Sequence, residues 1–320
     1  MQRRLVALLP EARAAGGGDT LEIAAQSYDA PRLISATVLE GPGLVSARVT
    51  APPVPGFQAF LDGTQRSRVA TYIGTVPIIH GACAAVVRER RDRRMHTWNA
   101  PLAESRIYAP RAVLPSVIWN TLEAEFSTSL VDTTDGETEI VTHPFALRDL
   151  AVHRVQAHRE ALEQRLAEQW SRGEAGALFI DGGISGSDKV AISAQTIGVV
   201  KSHRTLYAEG DALATVLALG CMERSSVFRV TSSKRTSVAS WYLRLRHPDG
   251  RDPMWGLVRV ETALPASHEA EVIGARADEV SRWILAEASP LALPDARWDK
   301  MVYGIRDCEE FLRAVQDGRG

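Results

Sequence analysis

Two stretches of this sequence put a carboxylate where a metal ion could be gripped. The first, Gly56-Phe57-Gln58-Ala59-Phe60-Leu61-Asp62-Gly63-Thr64-Gln65, reads as a short apolar strand that ends on Asp62 and a glycine. The second, Ala177-Leu178-Phe179-Ile180-Asp181-Gly182-Gly183, repeats the pattern more than a hundred residues later. Asp-Gly is also a common hairpin turn, so either copy alone has a plain structural reading. The repetition favours chemistry. Two strand ends, each presenting one Asp, can share divalent cations if the strands are neighbours.

A two-metal hydrolase takes three or four acidic side chains around one pocket. A third is expected from the helix that precedes the second unit. Glu163 lies 181 − 163 = 18 residues before Asp181, and Glu160 sits about one turn earlier on nearly the same face. A fourth is expected from a late helix, with Asp299 as the candidate and Asp295 as its rival. Lys201 ends the strand that follows Asp181 and could steady charge that develops in the reaction. The competing reading is the same for all of these: helical acids and edge-strand lysines commonly do no more than face water. His80 and His203 lie nearest the proposed site and are read as structural or loop residues.

The elements that must carry these groups can be sketched in order. Residues 1–30 read as an N-terminal helical arm broken by Gly16-Gly17-Gly18, and the prolines of 31–56 exclude regular helix. Phe57–Asp62, Ser67–Thr75 and Ala82–Arg88 read as three strands of a meander. A helix is expected over Val117–Phe126, and residues 132–138 read as a polar loop. Leu150–Trp170 is the clearest helix, with Gly173 as its stop. A strand is expected over Val190–Val200, then strands at Val227–Thr231, Val238–Arg246 and Trp255–Thr262. Helices at His268–Ala288 and about Pro294–Val315 close the chain. Arg259 and Glu261 alternate with Val258 and Val260, so they share a sheet face, either as a surface ion pair or beside a nucleic-acid groove. Trp241 and Tyr242 read as packing residues. This pattern predicts an α/β fold with a mixed sheet. It divides into a lead-in over 1–56 and a catalytic domain over 57–320.

Composition adds bounds. The chain has 320 residues, 45% of them apolar, which is enough for a large core. The net charge of 37 − 39 = −2 carries no global signature of nucleic-acid binding. Arginine is dense from Arg88 to Arg94 and again from Arg224 to Arg259, either as phosphate-facing patches or as solvated faces. Three scattered cysteines, Cys83, Cys221 and Cys308, form no Cys-x-x-Cys pair and fit a reducing cytoplasm. No stretch has the length of a membrane span, and Leu5-Val6-Ala7-Leu8-Leu9 is too short for a secretory core. A cytoplasmic protein with no membrane partner is expected.

Several short motifs occur in a fixed order. They are Leu61-Asp62-Gly63-Thr64, Arg159-x-x-x-Glu163, Leu178-Phe179-Ile180-Asp181-Gly182-Gly183, Ile197-Gly198-Val199-Val200-Lys201-Ser202, the Tyr-x-Arg-Leu strand from Tyr242, Arg259-Val260-Glu261, and the segment from Pro290 to Ala296. Together they resemble the NurA-domain nucleases, from about residue 57 to the C terminus. The resemblance implies a ribonuclease H-like core, a mixed β-sheet flanked by helices with insertions. It implies Mn2+- or Mg2+-dependent exonuclease and endonuclease cleavage of DNA. It also implies a homodimer working with a hexameric HerA-like ATPase, in DNA end repair or in antiviral defence. It assigns the first acid to Asp62, the helical Glu to Glu163 and the second strand acid to Asp181. One departure stands out. The family places a histidine in its last helix, and no histidine follows His268 here; Arg297 or Asp299 occupies that neighbourhood, so the fourth ligand stays open. A NurA-like subunit without activity, serving as a DNA-binding scaffold, is therefore the main alternative. A lesser one is phosphotransfer of the sugar kinase, actin and heat-shock chaperone type, loosely suggested by Leu61-Asp62-Gly63-Thr64.

Overall fold

The computed structural model describes residues 2–9, 12–14, 31–173, 176–232, 235–248, 250–288 and 302–317. The chain opens with a helix, α1 (Gln2–Leu8), and four short strands: β1 (Ala12–Ala14), β2 (Arg32–Leu33), β3 (Thr37–Val38) and β4 (Ser46–Arg48). Three long strands follow, β5 (Phe57–Ile73), β6 (Val76–Arg91) and β7 (Arg94–Ala109). Only two residues join each pair. Gly74 has φ +61°, and Asp92 and Arg93 have φ +50° and +62°. Positive φ at both positions of the Asp92-Arg93 loop, and at the first position of the Gly74-Thr75 loop, is turn geometry that matches the twist of paired strands.

β5 corrects the expected meander. Phe57–Asp62 and Ser67–Thr75 are one continuous strand, so the chain does not turn at Asp62-Gly63. The third expected strand, Ala82–Arg88, is the middle of β6, and β7 occupies ground the sequence left without a pattern.

Next come α2 (Ser116–Phe126), β8 (Leu130–Asp132) and the 30-residue helix α3 (Pro144–Gly173), which ends at the glycine expected to stop it. β9 (Ala177–Asp181) is three buried apolar residues between partly exposed ends. That is the pattern of a parallel strand covered on both faces. The strand expected over Val190–Val200 is two elements: a short helix, α4 (Asp188–Ala191), and the strand β10 (Thr196–Val200). The chain continues through β11 (Thr205–Leu206), α5 (Gly210–Leu217), β12 (Glu223–Ser225), β13 (Phe228–Ser232), β14 (Arg235–Arg244), β15 (Leu257–Thr262), α6 (Ala270–Glu287) and α7 (Tyr303–Asp317).

The architecture is mixed α/β, a large mixed sheet flanked by helices. Its strands hydrogen-bond in the order β3-β13-β14-β15-β10-β9-β5-β6-β7-β8. β5, β9 and β10 run parallel, whereas β10, β15, β14 and β13 pair antiparallel. None of the described helices is long and apolar enough to cross a membrane.

The chain forms two compact units. The first comprises residues 1–27, 63–85 and 101–163. Its core gathers Leu5 and Leu9, Ile73 and Ile78 from the β5–β6 hairpin, Ile107, and the buried stripe Ile118, Trp119, Leu122 and Phe126 of α2. The expected N-terminal arm is thus partly structural: α1 contributes to this core, and β1 pairs with residues 71–73 of β5. The second unit comprises residues 28–62, 86–100 and 164–320. Phe57 packs edge-on against Phe179 at 5.1 Å and Trp283 at 5.8 Å. Trp98 meets Trp170 at 5.2 Å. Such tilted pairs add modestly to what burial of the rings already contributes.

Candidate active site

The second unit brings the two strand acids together. Leu61 of β5 pairs with Ile180 of β9 in a parallel register, and Asp62 and Asp181 are the next residue on each strand. Neighbouring strands lie about 4.8 Å apart, and equivalent positions on them face the same side. Below this step, Phe60, Leu61, Leu178, Phe179 and Ile180 are buried. The two carboxylates therefore stand at the upper edge of an apolar floor.

Lys201, just beyond β10, reaches the same side. Asp181 pairs with Val199, two residues before Lys201, so alternation puts the lysine on the Asp181 face. Its Nζ donates to Asp181 Oδ2 at 2.7 Å, with both side chains 16–17% exposed. Asp62 also imposes its charge on α7. Cys308, whose thiol donates to Phe60 O, is fully buried, and burial followed by the charges of Asp62 and Asp307 pushes it well above the usual thiol range.

Glu163 lies in the first unit, on α3. Its carboxylate is 13% exposed and ion-pairs with Arg159, one turn back. Arg159 also donates to Gln65 Oε1 at 3.2 Å. The Glu163 carboxylate rests on Gly63, where a methyl group would collide with it. Gly63 is therefore there for close approach rather than for a turn. Glu160 accepts from Gln156 at 2.9 Å on an exposed part of the same helix. Asp299, Asp295 and Arg297 lie outside the described residues.

Carboxylate oxygens are the right donors for Mg2+ or Mn2+, and the Asp62–Asp181 pair meets that requirement. The set is short, however: among the described residues no group of three or more His, Cys, Asp or Glu side chains could hold a metal ion. The histidines do not extend it. His203 bonds Leu257 O at 2.8 Å, and burial, aided by the Arg68 guanidinium, pulls His80 down to about 4.

Several arginines of the two arginine-rich stretches are engaged internally, while Arg93, Arg94, Arg229, Arg235 and Arg251 are exposed. Arg88 bonds Asp307 and Thr97, and Arg90 clamps both oxygens of Glu287 at 2.7 Å. Arg224 is buried against Glu40, at 2.8 and 2.9 Å, and Asp278. Arg244, fully buried, donates to the carbonyls of Leu217, Leu219, Pro253 and Trp255. Trp241 and Tyr242 are packing residues, the indole donating to Ser281 and the phenol accepting from the Tyr207 amide.

The expected Arg259–Glu261 pair exists at 2.6 Å, but it is not a surface pair, because Glu261 is only 2% exposed. Its burial was invisible in the sequence: alternation gives the face a residue takes, not its depth. No known protein family matches the chain, and no curated protein matches it.

Proposed function

We propose that this chain is a metal-dependent deoxyribonuclease of the NurA type, with a ribonuclease H-like core. The observation that carries the proposal is the in-register placement of Asp62 and Asp181 on adjacent parallel strands. The hairpin-linked strands β5–β7, the helix α3 and the parallel strands β9 and β10 support the choice of core. Mn2+ or Mg2+ supplies, when bound, charge neutralisation and a more acidic water. Asp62 and Asp181 provide oxygen donors from rigid strands, which hold geometry better than loops do. Lys201 keeps the Asp181 carboxylate oriented and offers N–H groups to a phosphate oxygen of the substrate. Glu163 is assigned to the donor set from its place in the sequence and from the resemblance; the homodimer and the HerA-like hexameric ATPase that would deliver DNA rest on the resemblance alone.

The test is degradation of labelled duplex and single-stranded DNA with Mn2+, with and without EDTA. Asp62→Asn and Asp181→Asn should each lower cleavage by at least on the order of a hundredfold, the loss that misplacing a catalytic group by about an ångström already brings. Their circular dichroism should match the parent. Cleavage that persists in both variants would sink the proposal.

A second reading has its own support. Asp181 is engaged by Lys201, Glu163 by Arg159, and the described donors stop short of three. A NurA-like scaffold that binds DNA without cutting it would show Mn2+-independent DNA binding, unaffected by Asp62→Asn.

A further inference from the structure

Glu261 is a buried carboxylate one residue from the end of β15, and burying a charge is costly unless partners compensate it. One oxygen accepts from Arg259 at 2.6 Å, and Arg259 itself lies over the Tyr207 ring at 5.1 Å. The other oxygen accepts from the backbone N–H of Ile184 at 2.9 Å. Ile184 belongs to the turn that leaves Asp181. In that turn Gly182 has φ +141° and donates to Val199 O at 3.1 Å. Gly183 faces the Glu261 carboxylate, where a side chain would press on Oε2 at 3.0 Å.

The register fixes the sides. Glu261 pairs with Gly198, and Gly198 with Ile180, so Glu261 occupies the face opposite to Asp181. Gly198 has no side chain because the turn lies over it, with Gly182 O and Ile184 in the way. The chain thus leaves β9, crosses to the far face, and is pinned there by the Glu261 carboxylate at Ile184 and, one residue on, by the Thr236 N–H donating to Ser185 O at 3.1 Å.

We propose that Glu261, braced by Arg259, is a positioning residue: by fixing the Gly182–Ile184 turn it fixes where the Asp181 carboxylate points. It touches no reacting atom, and its value to catalysis rests on the nuclease reading. The far end of the loop is held separately, where Glu168 accepts from Ser187 at 2.8 Å and Lys189 at 3.1 Å, which supplies an internal control.

The test uses the full chain labelled with 13C at aspartate carboxyl carbons, at one fixed pH. The Asp181 signal is assigned by its loss in Asp181→Asn. Glu261→Gln, nearly isosteric, should speed hydrogen exchange at the Ile184 amide on the order of tenfold. It should also shift or split the Asp181 carboxyl signal. Glu168→Gln should leave that signal in place. If exchange speeds up while the Asp181 signal stays put, Glu261 only anchors a loop and the proposal is wrong. A shift of equal size in Glu168→Gln would overturn it too, by pointing to general loosening. Should Glu261→Gln not fold, Arg259→Lys decides by the same two readings. DNA cleavage by the parent protein, run alongside, bears on the nuclease reading alone; an inactive parent refutes that reading and leaves the carboxyl signal to judge Glu261.

Discussion

Gly63 shows how much depends on a single missing methyl group. The Glu163 carboxylate, held by Arg159, occupies the space a Cβ would need. Gly63→Ala must push Glu163 off its arginine or distort β5, and overpacking of this kind costs about 1–3 kcal/mol. Urea midpoints should show the loss. The double variant Gly63→Ala/Glu163→Ala should recover part of it, because the two positions couple through contact. Equal midpoints for Gly63→Ala and the parent would mean that the carboxylate moves away freely. The sequence alone pointed to a turn at this glycine, since Asp-Gly carries the same letters whether the backbone bends or a neighbour needs room. Asp181 was legible because an apolar run followed by one acid does end β9, whereas Asp62, read by the same pattern as a strand end, lies inside the 17-residue β5.

Among the elements, helices were easier to read than strands. α2 and α6 begin and end within a few residues of their expected limits, because a 3.6-residue stripe over many turns leaves little freedom. The strand expected over Val190–Val200 failed because Val190, Ala191 and Ile192 are as apolar as a strand, yet α4 takes the first two. The arginines of the β12–β15 region looked like a phosphate patch, and charge counting cannot separate those left exposed, such as Arg229 and Arg235, from one that sequence-distant acids neutralise. Arg224 illustrates the point, since Glu40 is 184 residues away and Asp278 is 54 away. Arg224→Ala would leave Glu40 facing a buried gap, and breaking a buried pair in this way costs about 3 kcal/mol. Chemical denaturation should show that loss. A change near zero would mean that water takes over the role of the guanidinium.

For the molecule as a whole, pH is a direct probe. The His80 imidazole is held down to about 4 by burial, with the charge of Arg68 adding to it, whereas an unfolded histidine titrates near 6.5. Between those values the unfolded chain binds a proton that the folded chain refuses. Its contribution to stability is therefore complete above about pH 6.5 and declines as pH falls toward about 4. Urea midpoints measured across that window should fall for the parent and fall less steeply for His80→Gln. Identical slopes would place the acid sensitivity elsewhere, in the carboxylates.

The division into two units also constrains anyone who would shorten this protein. The chain passes from one unit to the other after residues 27, 62, 85, 100 and 163, and three of its longest strands and its longest helix contribute to both. A fragment beginning at residue 57, where the sequence suggests a clean start, would discard Leu5 and Leu9 and leave the first core open. No single scissor point yields a self-sufficient half, so a minimal version would have to be re-threaded with new connections rather than trimmed.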